Sequence, residues 1–277
     1  MTDLSSTRIA ILGTGNIGGA IARGLVHSGL FSPGRITLTR RKKESLLPFA
    51  SEGFATSTDN REALRAADLL VVAVTPQQLD PLLAEIRPHL EGRHTVVSVV
   101  SGAGIAQISA RLGGAVSVIR AMPNTAIAIR ESMTCLAGGS DAGKALAEVK
   151  AIFDALGKTL VIDEALMVPA TALCACGIAF FLRAVRAASQ GGIEIGFHAE
   201  DALLMAAQTA RGAASLLVEG GSHPEREVDR VTTPQGCTIS GLNQMEHNGF
   251  SSALIKGIVT SAEKAAILYA PKSPTGS

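Results

Sequence analysis

Short apolar runs rich in β-branched residues alternate with helical periods through the first half of the chain, and long helical periods alone fill the second half. The runs at residues 8–12, 35–39, 69–74, 95–100, 116–121, 133–137 and 159–162 have strand length and little polar interruption, as expected of strands buried on both faces. Between them, residues 17–28, 43–52, 60–66 and 142–156 read as helices that cover a sheet. Such alternation predicts a parallel sheet with helices on its faces.

After residue 162 the β-branched runs vanish, and Ala, Leu, Gln and Arg dominate up to Tyr269. Within residues 199–219, Leu203, Leu204, Ala207, Ala210, Ala214, Leu217 and Val218 recur at three- and four-residue spacing and form an apolar stripe. The expected division is therefore an α/β domain over residues 1–162 and an all-helical domain over residues 163–277, with residues 271–277 a disordered tail. The chain has one Tyr and no Trp to fill volume, so the helical domain is expected to bury its stripe against a second copy of itself.

Composition narrows the class. A chain of 277 residues that is 47% hydrophobic can form a core without covalent staples. A formal charge of +1 provides no field for nucleic acid or an acidic membrane, so small-molecule chemistry is expected, with neither as partner. The uncharged run at residues 165–182 has the length of a membrane span, but Pro169, Thr171, Gly177 and its polar flanks favour a buried or subunit-interface helix. No basic, apolar leader precedes the first strand, which points to the cytoplasm. Cys135, Cys174, Cys176 and Cys237 are too few and too irregular for a disulfide framework and are expected as thiols. Cys174 and Cys176 lack a second ligand pair, so no metal site is expected.

The chemistry begins at Gly13, Thr14, Gly15, Asn16, Ile17 and Gly18, which follow the first strand and open a helix. Gly13 permits the tight turn, Gly15 lets a pyrophosphate approach the backbone, and Gly18 lets the helix pack close to the strand. The helix N-terminus then offers free N–H groups and a favourable dipole to the phosphates. The strand before and the helix after separate this pattern from a plain turn, and they predict a Rossmann-type, doubly wound dinucleotide fold.

An NAD site normally carries an acid at the end of the second strand, yet no acid occurs between Asp3 and Glu44. That strand runs instead into Thr39, Arg40, Arg41, Lys42 and Lys43. Guanidinium groups there suit a 2′-phosphate, so NADPH is expected over NADH; a solvated basic turn is the alternative reading. Asn60, opening a helix, is placed with these contacts. Val74, Thr75, Pro76 and Gln77 end the 69–74 strand at the carboxyl edge, where an open α/β sheet holds its ligand. Met122, Pro123 and Asn124 end a later strand on the same edge, as do residues 98–102; loop punctuation would look the same.

One further segment is rich in Thr, Pro and Gly: Val231-Thr232-Thr233-Pro234-Gln235-Gly236-Cys237-Thr238-Ile239-Ser240-Gly241-Leu242. It reads as a turn opening a helix, which is either an ordinary cap or a site offering N–H groups and hydroxyls to an anion. Together with residues 13–18, Val74-Thr75-Pro76-Gln77 and Arg120-Ala121-Met122-Pro123-Asn124-Thr125, it resembles the pyrroline-5-carboxylate reductases, and the resemblance runs through nearly the whole chain.

The resemblance implies NADPH-dependent reduction of a cyclic imino acid, 1-pyrroline-5-carboxylate, to L-proline in proline biosynthesis. It also implies dimerisation through the helical C-terminal domain, with some members assembling into decamers. It places the substrate carboxylate at Thr238, with Thr233, Gly236 and Cys237 beside it and Thr171 and Cys176 as further site residues. A protonated iminium is already electrophilic, so none of the six histidines is required as an acid. A β-hydroxyacid dehydrogenase, the main rival of similar layout, needs a lysine on its helical domain, and none occurs between Lys158 and Lys256.

The chain departs from the family pattern where Cys174-Ala175-Cys176-Gly177-Ile178-Ala179-Phe180 replaces Ser-Gly-Ser-Gly-Pro-Ala-Tyr. Gln235 stands for a Gly, Cys237 for a Thr or Ala, and Thr75 for a Lys. These changes leave two alternatives beside the parent activity: a related imine reductase with an altered pocket, and a non-catalytic NADP-binding regulatory paralogue.

Overall fold

The computed structural model describes residues 4–139 and 142–268. Tyr269, the 271–277 tail and the first three residues of the expected leaderless start lie outside the described residues. Eight strands form one sheet: β1 (Ile9–Leu12), β2 (Ile36–Thr39), β3 (Ala55–Ser57), β4 (Leu69–Val72), β5 (Thr95–Ser98), β6 (Ser117–Met122), β7 (Ser132–Gly138) and β8 (Gly157–Val161). Their order is β3-β2-β1-β4-β5-β6-β7-β8.

Neighbours from β3 through β6 run parallel, β7 is antiparallel to β6, and β8 is parallel to β7. The parallel expectation thus holds for six strands and fails at β7. Residues 123–131 contain only a 3₁₀ turn, Thr125–Ile129, and a parallel crossover needs a longer connection than that. β3 carries no apolar run for a sequence reading to find: Ala55-Thr56-Ser57 is a short, partly exposed edge.

Six helices accompany the sheet: α1 (Asn16–His27), α2 (Leu47–Ser51), α3 (Asn60–Arg65), α4 (Pro76–Ile86), α5 (Ile105–Leu112) and α6 (Gly143–Asp154). The helix expected over 43–52 is split, because Pro48 sits in the first turn of α2 and a 3₁₀ turn, Lys43–Leu46, precedes it. Alternate strand residues enter opposite cores. Ile9, Ile11, Ile36 and Leu38 pack with Ile21, Leu25 and Phe153 on one face, while Ala10, Leu12, Leu70 and Val72 pack with Leu79, Leu83 and Ile108 on the other. Burial on both faces is why the strands read as unbroken apolar runs.

The helical remainder comprises α7 (Met167–Ala170), a π-helical turn (Thr171–Cys176), α8 (Gly177–Glu194), α9 (Ala199–Gly220), α10 (Pro224–Val231), α11 (Cys237–His247) and α12 (Phe250–Ala266). Two compact units result, one reaching Cys176 and taking in the chain from Ser261, the other spanning Gly177–Thr260. Met167 and Ala170 join Met122, Cys135 and Ala137 in a small core of the sheet-bearing unit.

Within the second unit α8 and α9 pack on each other, and a Cβ at Gly192 would lie 3.0 Å from that of Ala202. Little else is enclosed. Ile195 is 77% exposed, Leu204 70%, Val218 66% and Ile255 63%, so one copy leaves its apolar faces uncovered. The stretch Glu164–Glu194 is long and apolar enough to cross a membrane, yet its early residues Met167, Ala170, Thr171 and Ala172 are buried in protein.

Gly157 opens β8 at φ +141°, and a Cβ there would stand 2.1 Å from the Ser132 carbonyl oxygen. Gly157→Ala is expected to lower unfolding free energy by about 3 kcal/mol, read as a fall in the urea midpoint at unchanged m-value.

Candidate functional site

β1 lies between β2 and β4, so the connections on its two sides diverge and leave a crevice at the strand carboxyl ends. The glycine turn sits there. A Cβ on Gly13, at φ +102°, would fall 2.6 Å from the Ala73 carbonyl oxygen, and one on Gly18 would fall 2.3 Å from the Gly13 carbonyl oxygen. Gly15 has nothing within 4 Å of its Cβ position. It is the N-cap of α1, whose first turn holds no acid and no side-chain cap, so the N–H groups face open space.

The turn is fastened from beneath. The Thr39 carbonyl accepts from the N–H of Gly13 at 3.3 Å and of Thr14 at 3.0 Å, and from the buried Thr14 hydroxyl at 3.0 Å. Thr14 therefore anchors the loop through its side chain and faces the crevice with backbone. Asn16 is exposed at the helix start, and half-buried Ile17 packs on the core.

The same strand end organises the expected 2′-phosphate site. Buried Thr39 donates its hydroxyl to Asn60 Oδ1 at 2.6 Å, and Asn60 Nδ2 donates to the Glu85 carboxylate at 3.1 and 3.2 Å. Glu85, in the last turn of α4, is the residue that sequence reasoning missed, since no spacing distinguishes it from a solvated helix position. Arg40 donates through Nη1 to the Thr14 carbonyl at 2.7 Å. Arg40 and Arg41 are exposed, and among the described residues neither has a carboxylate within ion-pairing distance. Open space above Gly15 beside two unneutralised guanidinium groups fits a dinucleotide that carries an additional phosphate.

Val74 is half-buried, Thr75 is the exposed N-cap of α4, Pro76 occupies its first position and Gln77 is exposed. Met122 and Pro123 are buried and shape the following loop from within. Asn124 ties that loop down: its N–H donates to Ser132 Oγ at 3.1 Å, its Oδ1 accepts from the Ala126 N–H, and its Nδ2 donates to the Cys174 carbonyl at 3.3 Å.

Beneath the loop, the buried Arg120 guanidinium donates through Nη1 to Glu164 Oε1 at 3.3 Å, and the same oxygen accepts from the Ile105 N–H at the start of α5. Burial draws Arg120 below the usual guanidinium range, and Glu164 opposes that shift. Arg120 Nε and Nη2 have no hydrogen-bond partner among the described residues.

In the second unit, Thr232 closes α10 with its hydroxyl on the Val228 carbonyl at 2.7 Å, and the Thr233 carbonyl accepts from the Gly236 N–H at 2.9 Å. Gln235 adopts φ +61°, the left-handed region that explains a glycine in the resembled pattern. A Cβ on Gly236 would meet Thr233 Oγ1 at 2.5 Å, so that position requires glycine. Gly236 caps α11 without a side chain, its first turn holds no acid, and Cys237 and Thr238 are exposed there. A terminus of this kind can accept an anion.

Thr171 and Cys176 belong to the sheet-bearing unit, in the π turn. The buried Thr171 hydroxyl donates to the Met167 carbonyl at 2.8 Å, and Cys176 is half-buried. Phe180 stands in van der Waals reach of Gly257, where a Cβ would lie 3.9 Å from the ring edge. Among the described residues, no group of three His, Cys, Asp or Glu side chains is arranged to hold a metal.

Glu164→Gln removes the counter-charge of a buried guanidinium, and a loss of about 2 kcal/mol in unfolding free energy is expected by urea titration. An unchanged midpoint would show that the pair does not hold the loop.

Comparisons with known proteins point to one family. The family model for pyrroline-5-carboxylate reductase dimerisation matches residues 164–268, and one for NADP oxidoreductase, coenzyme F420-dependent, matches residues 8–102. Pyrroline-5-carboxylate reductase 2 of Dictyostelium discoideum is 50% identical, with 95% of this chain and 94% of the relative covered. Pyrroline-5-carboxylate reductase 1 of the same organism is 55% identical over 95% of this chain, and the chain spans half of that relative's length. The fold superposes on a Plasmodium falciparum pyrroline carboxylate reductase with NADP bound at a TM-score of 0.87 and 22% identity, covering 95% of this chain and 98% of the other. The chain belongs to the pyrroline-5-carboxylate reductase family.

Proposed function

We propose that the chain reduces 1-pyrroline-5-carboxylate to L-proline with NADPH, in proline biosynthesis. The observation that carries this reading is 50% identity across 94% of a reductase relative. Two uncapped helix N-termini support it, each without an acid in its first turn. The terminus of α1, with Gly13, Thr14, Gly15, Asn16, Ile17 and Gly18, takes the pyrophosphate. Arg40 and Arg41 take the 2′-phosphate, beside the Thr39 and Asn60 pair. Val74, Thr75, Pro76 and Gln77 line the crevice with Met122, Pro123 and Asn124.

The terminus of α11 takes the substrate carboxylate. Thr238 supplies a hydroxyl and, with Cys237, first-turn N–H groups, while Thr233 and Gly236 fix the turn. When bound, the cofactor supplies the hydride. The chain itself holds the carboxylate and excludes water, and the substrate enters as a protonated iminium, so no side chain needs to deliver a proton. Thr171, with its hydroxyl engaged by Met167, and Cys176 are further proposed site residues, carried by the family pattern.

In this proposal residues 1–162 serve the cofactor and residues 163–277 serve substrate binding and assembly. The exposed apolar faces of α8, α9 and α12 are covered in a homodimer that builds toward larger rings such as a decamer, in the cytoplasm and without nucleic acid or membrane as partner. The changed residues Cys176, Ile178, Phe180 and Gln235 favour one second reading, a related cyclic imine as preferred substrate.

Steady-state NADPH and NADH oxidation across five- and six-membered cyclic imines tests both readings. The five-membered imino acid with NADPH is expected to give the highest kcat/KM; no turnover with either cofactor overturns the assignment. Thr238→Ala is expected to raise the imine KM roughly 10- to 100-fold, about the loss of one hydrogen bond to a charged group, at unchanged NADPH affinity. Equal loss of both would mean that residues 232–238 do not hold substrate. Replacing Arg40 and Arg41 together by Ser is expected to lower kcat/KM for NADPH about 100-fold and to leave that for NADH nearly unchanged.

A further inference from the structure

Cys135 on β7 and Cys174 in the π turn lie far apart in sequence, yet their sulfurs are 3.9 Å apart. Nothing in the proposed reaction uses this contact. Cys135 is buried at 4% exposure, whereas Cys174 is half-buried and solvent reaches it. Both pack in the small apolar cluster with Met122, Ala137, Met167 and Ala170. Cys174 is also joined to the expected cofactor loop, because its carbonyl accepts from Asn124 Nδ2.

We propose that Cys135 and Cys174 form a peroxide-responsive thiol pair, which closes to a disulfide and thereby moves the π turn and the Asn124 loop out of their working positions. The chemistry is asymmetric. Hydrogen bonding from Cys135 lowers the Cys174 thiol to about 7, while the same contact together with burial pushes the Cys135 thiol up. The Cys174 thiolate is therefore the attacking group. It attacks one peroxide oxygen, the O–O bond breaks, and protonation of the leaving hydroxide gives water and a Cys174 sulfenic acid. The Cys135 sulfur then attacks the sulfenic sulfur, its proton leaves with the displaced hydroxide as a second water, and the S–S bond forms. The two thiols are oxidised and the peroxide is reduced.

Closure draws the sulfurs from 3.9 Å to the ~2 Å of a disulfide. β7 is hydrogen-bonded to a strand on each side, so the π turn has to give. A π turn is a local insertion in helical register, and such turns mark places where a helix can be re-registered. Its displacement pulls on the Asn124 contact and carries Cys176 along. A displacement of this size at a site that works by positioning is expected to cost roughly 100-fold in rate.

The experiment treats the full-length protein with a few-fold molar excess of hydrogen peroxide, with and without later dithiothreitol. Alkylation before and after reduction, followed by peptide mass spectrometry, locates the thiols. Wild type is expected to lose Cys135 and Cys174 as free thiols, to gain a crosslinked peptide lighter by two hydrogens, and to regain both on reduction. Cys135→Ala is expected to form no crosslink and, with the hydrogen bond that favours the Cys174 thiolate gone, to oxidise at Cys174 more slowly than wild type, giving a dimedone-reactive sulfenic acid with no partner thiol to resolve it. Cys174→Ser, the second variant, is expected to leave Cys135 reduced, a result that Cys135→Ala need not fold to provide. Oxidation that spares this pair, or a crosslink joining Cys174 to Cys176 or Cys237, overturns the proposal. The crosslink is independent of the proposed reaction. The rate arm rests on it, and there imine-dependent NADPH oxidation is expected to fall with crosslinking and return with dithiothreitol; crosslinked protein at full rate overturns the switch.

Discussion

A single carbonyl at the end of β2 holds the glycine turn of this molecule in place. Thr39 accepts from the backbone of Gly13 and Thr14 and from the Thr14 hydroxyl, which pins the chain as it leaves β1 and fixes the direction in which α1 departs. The same residue turns its hydroxyl to Asn60, so one buried threonine sets both the glycine turn and its neighbour on α3. Because these groups are removed from water, each must be satisfied, and the geometry of the turn is correspondingly unique. The three glycines then follow from steric necessity at Gly13 and Gly18 and from open space at Gly15.

The second unit is built under the opposite constraint. Its helices are apolar on faces that the single chain cannot enclose, as the exposure of Leu204, Val218 and Ile255 shows. Small residues such as Gly192 and Ala202 let α8 and α9 approach closely, while Phe181, Phe197 and Phe250 stay exposed. Stability of such a unit is inseparable from assembly. Residues 164–268 match a dimerisation family, as such a surface leads one to expect, and the apolar stretch Glu164–Glu194 lies within that match.

Much of this was legible beforehand because it is encoded locally. The continuous apolar runs at 69–74 and 95–100 identify buried strands, and the context of residues 13–18 identifies a tight glycine turn between strand and helix. The antiparallel β7 was not legible, since a strand's direction depends on what its connection can span rather than on its own residues. Neither was Glu85, which reaches Asn60 only after α3 and α4 pack. Nor was the Cys135–Cys174 contact, which joins a strand to a turn of another element.

The sequence by itself determined the alternating α/β half, the glycine turn, the basic stretch after β2 and the apolar helical half, because periodicity, glycine stereochemistry and local charge act over a few residues. Tertiary structure decided the rest: the mixed sheet, the packing of Met167 and Ala170 against the sheet-bearing unit, the burial of Thr14 and Thr171, and the pairing of Arg120 with Glu164. Each depends on groups brought together from distant positions, and the free energy of such a contact lies in desolvation and in geometry that no local pattern specifies.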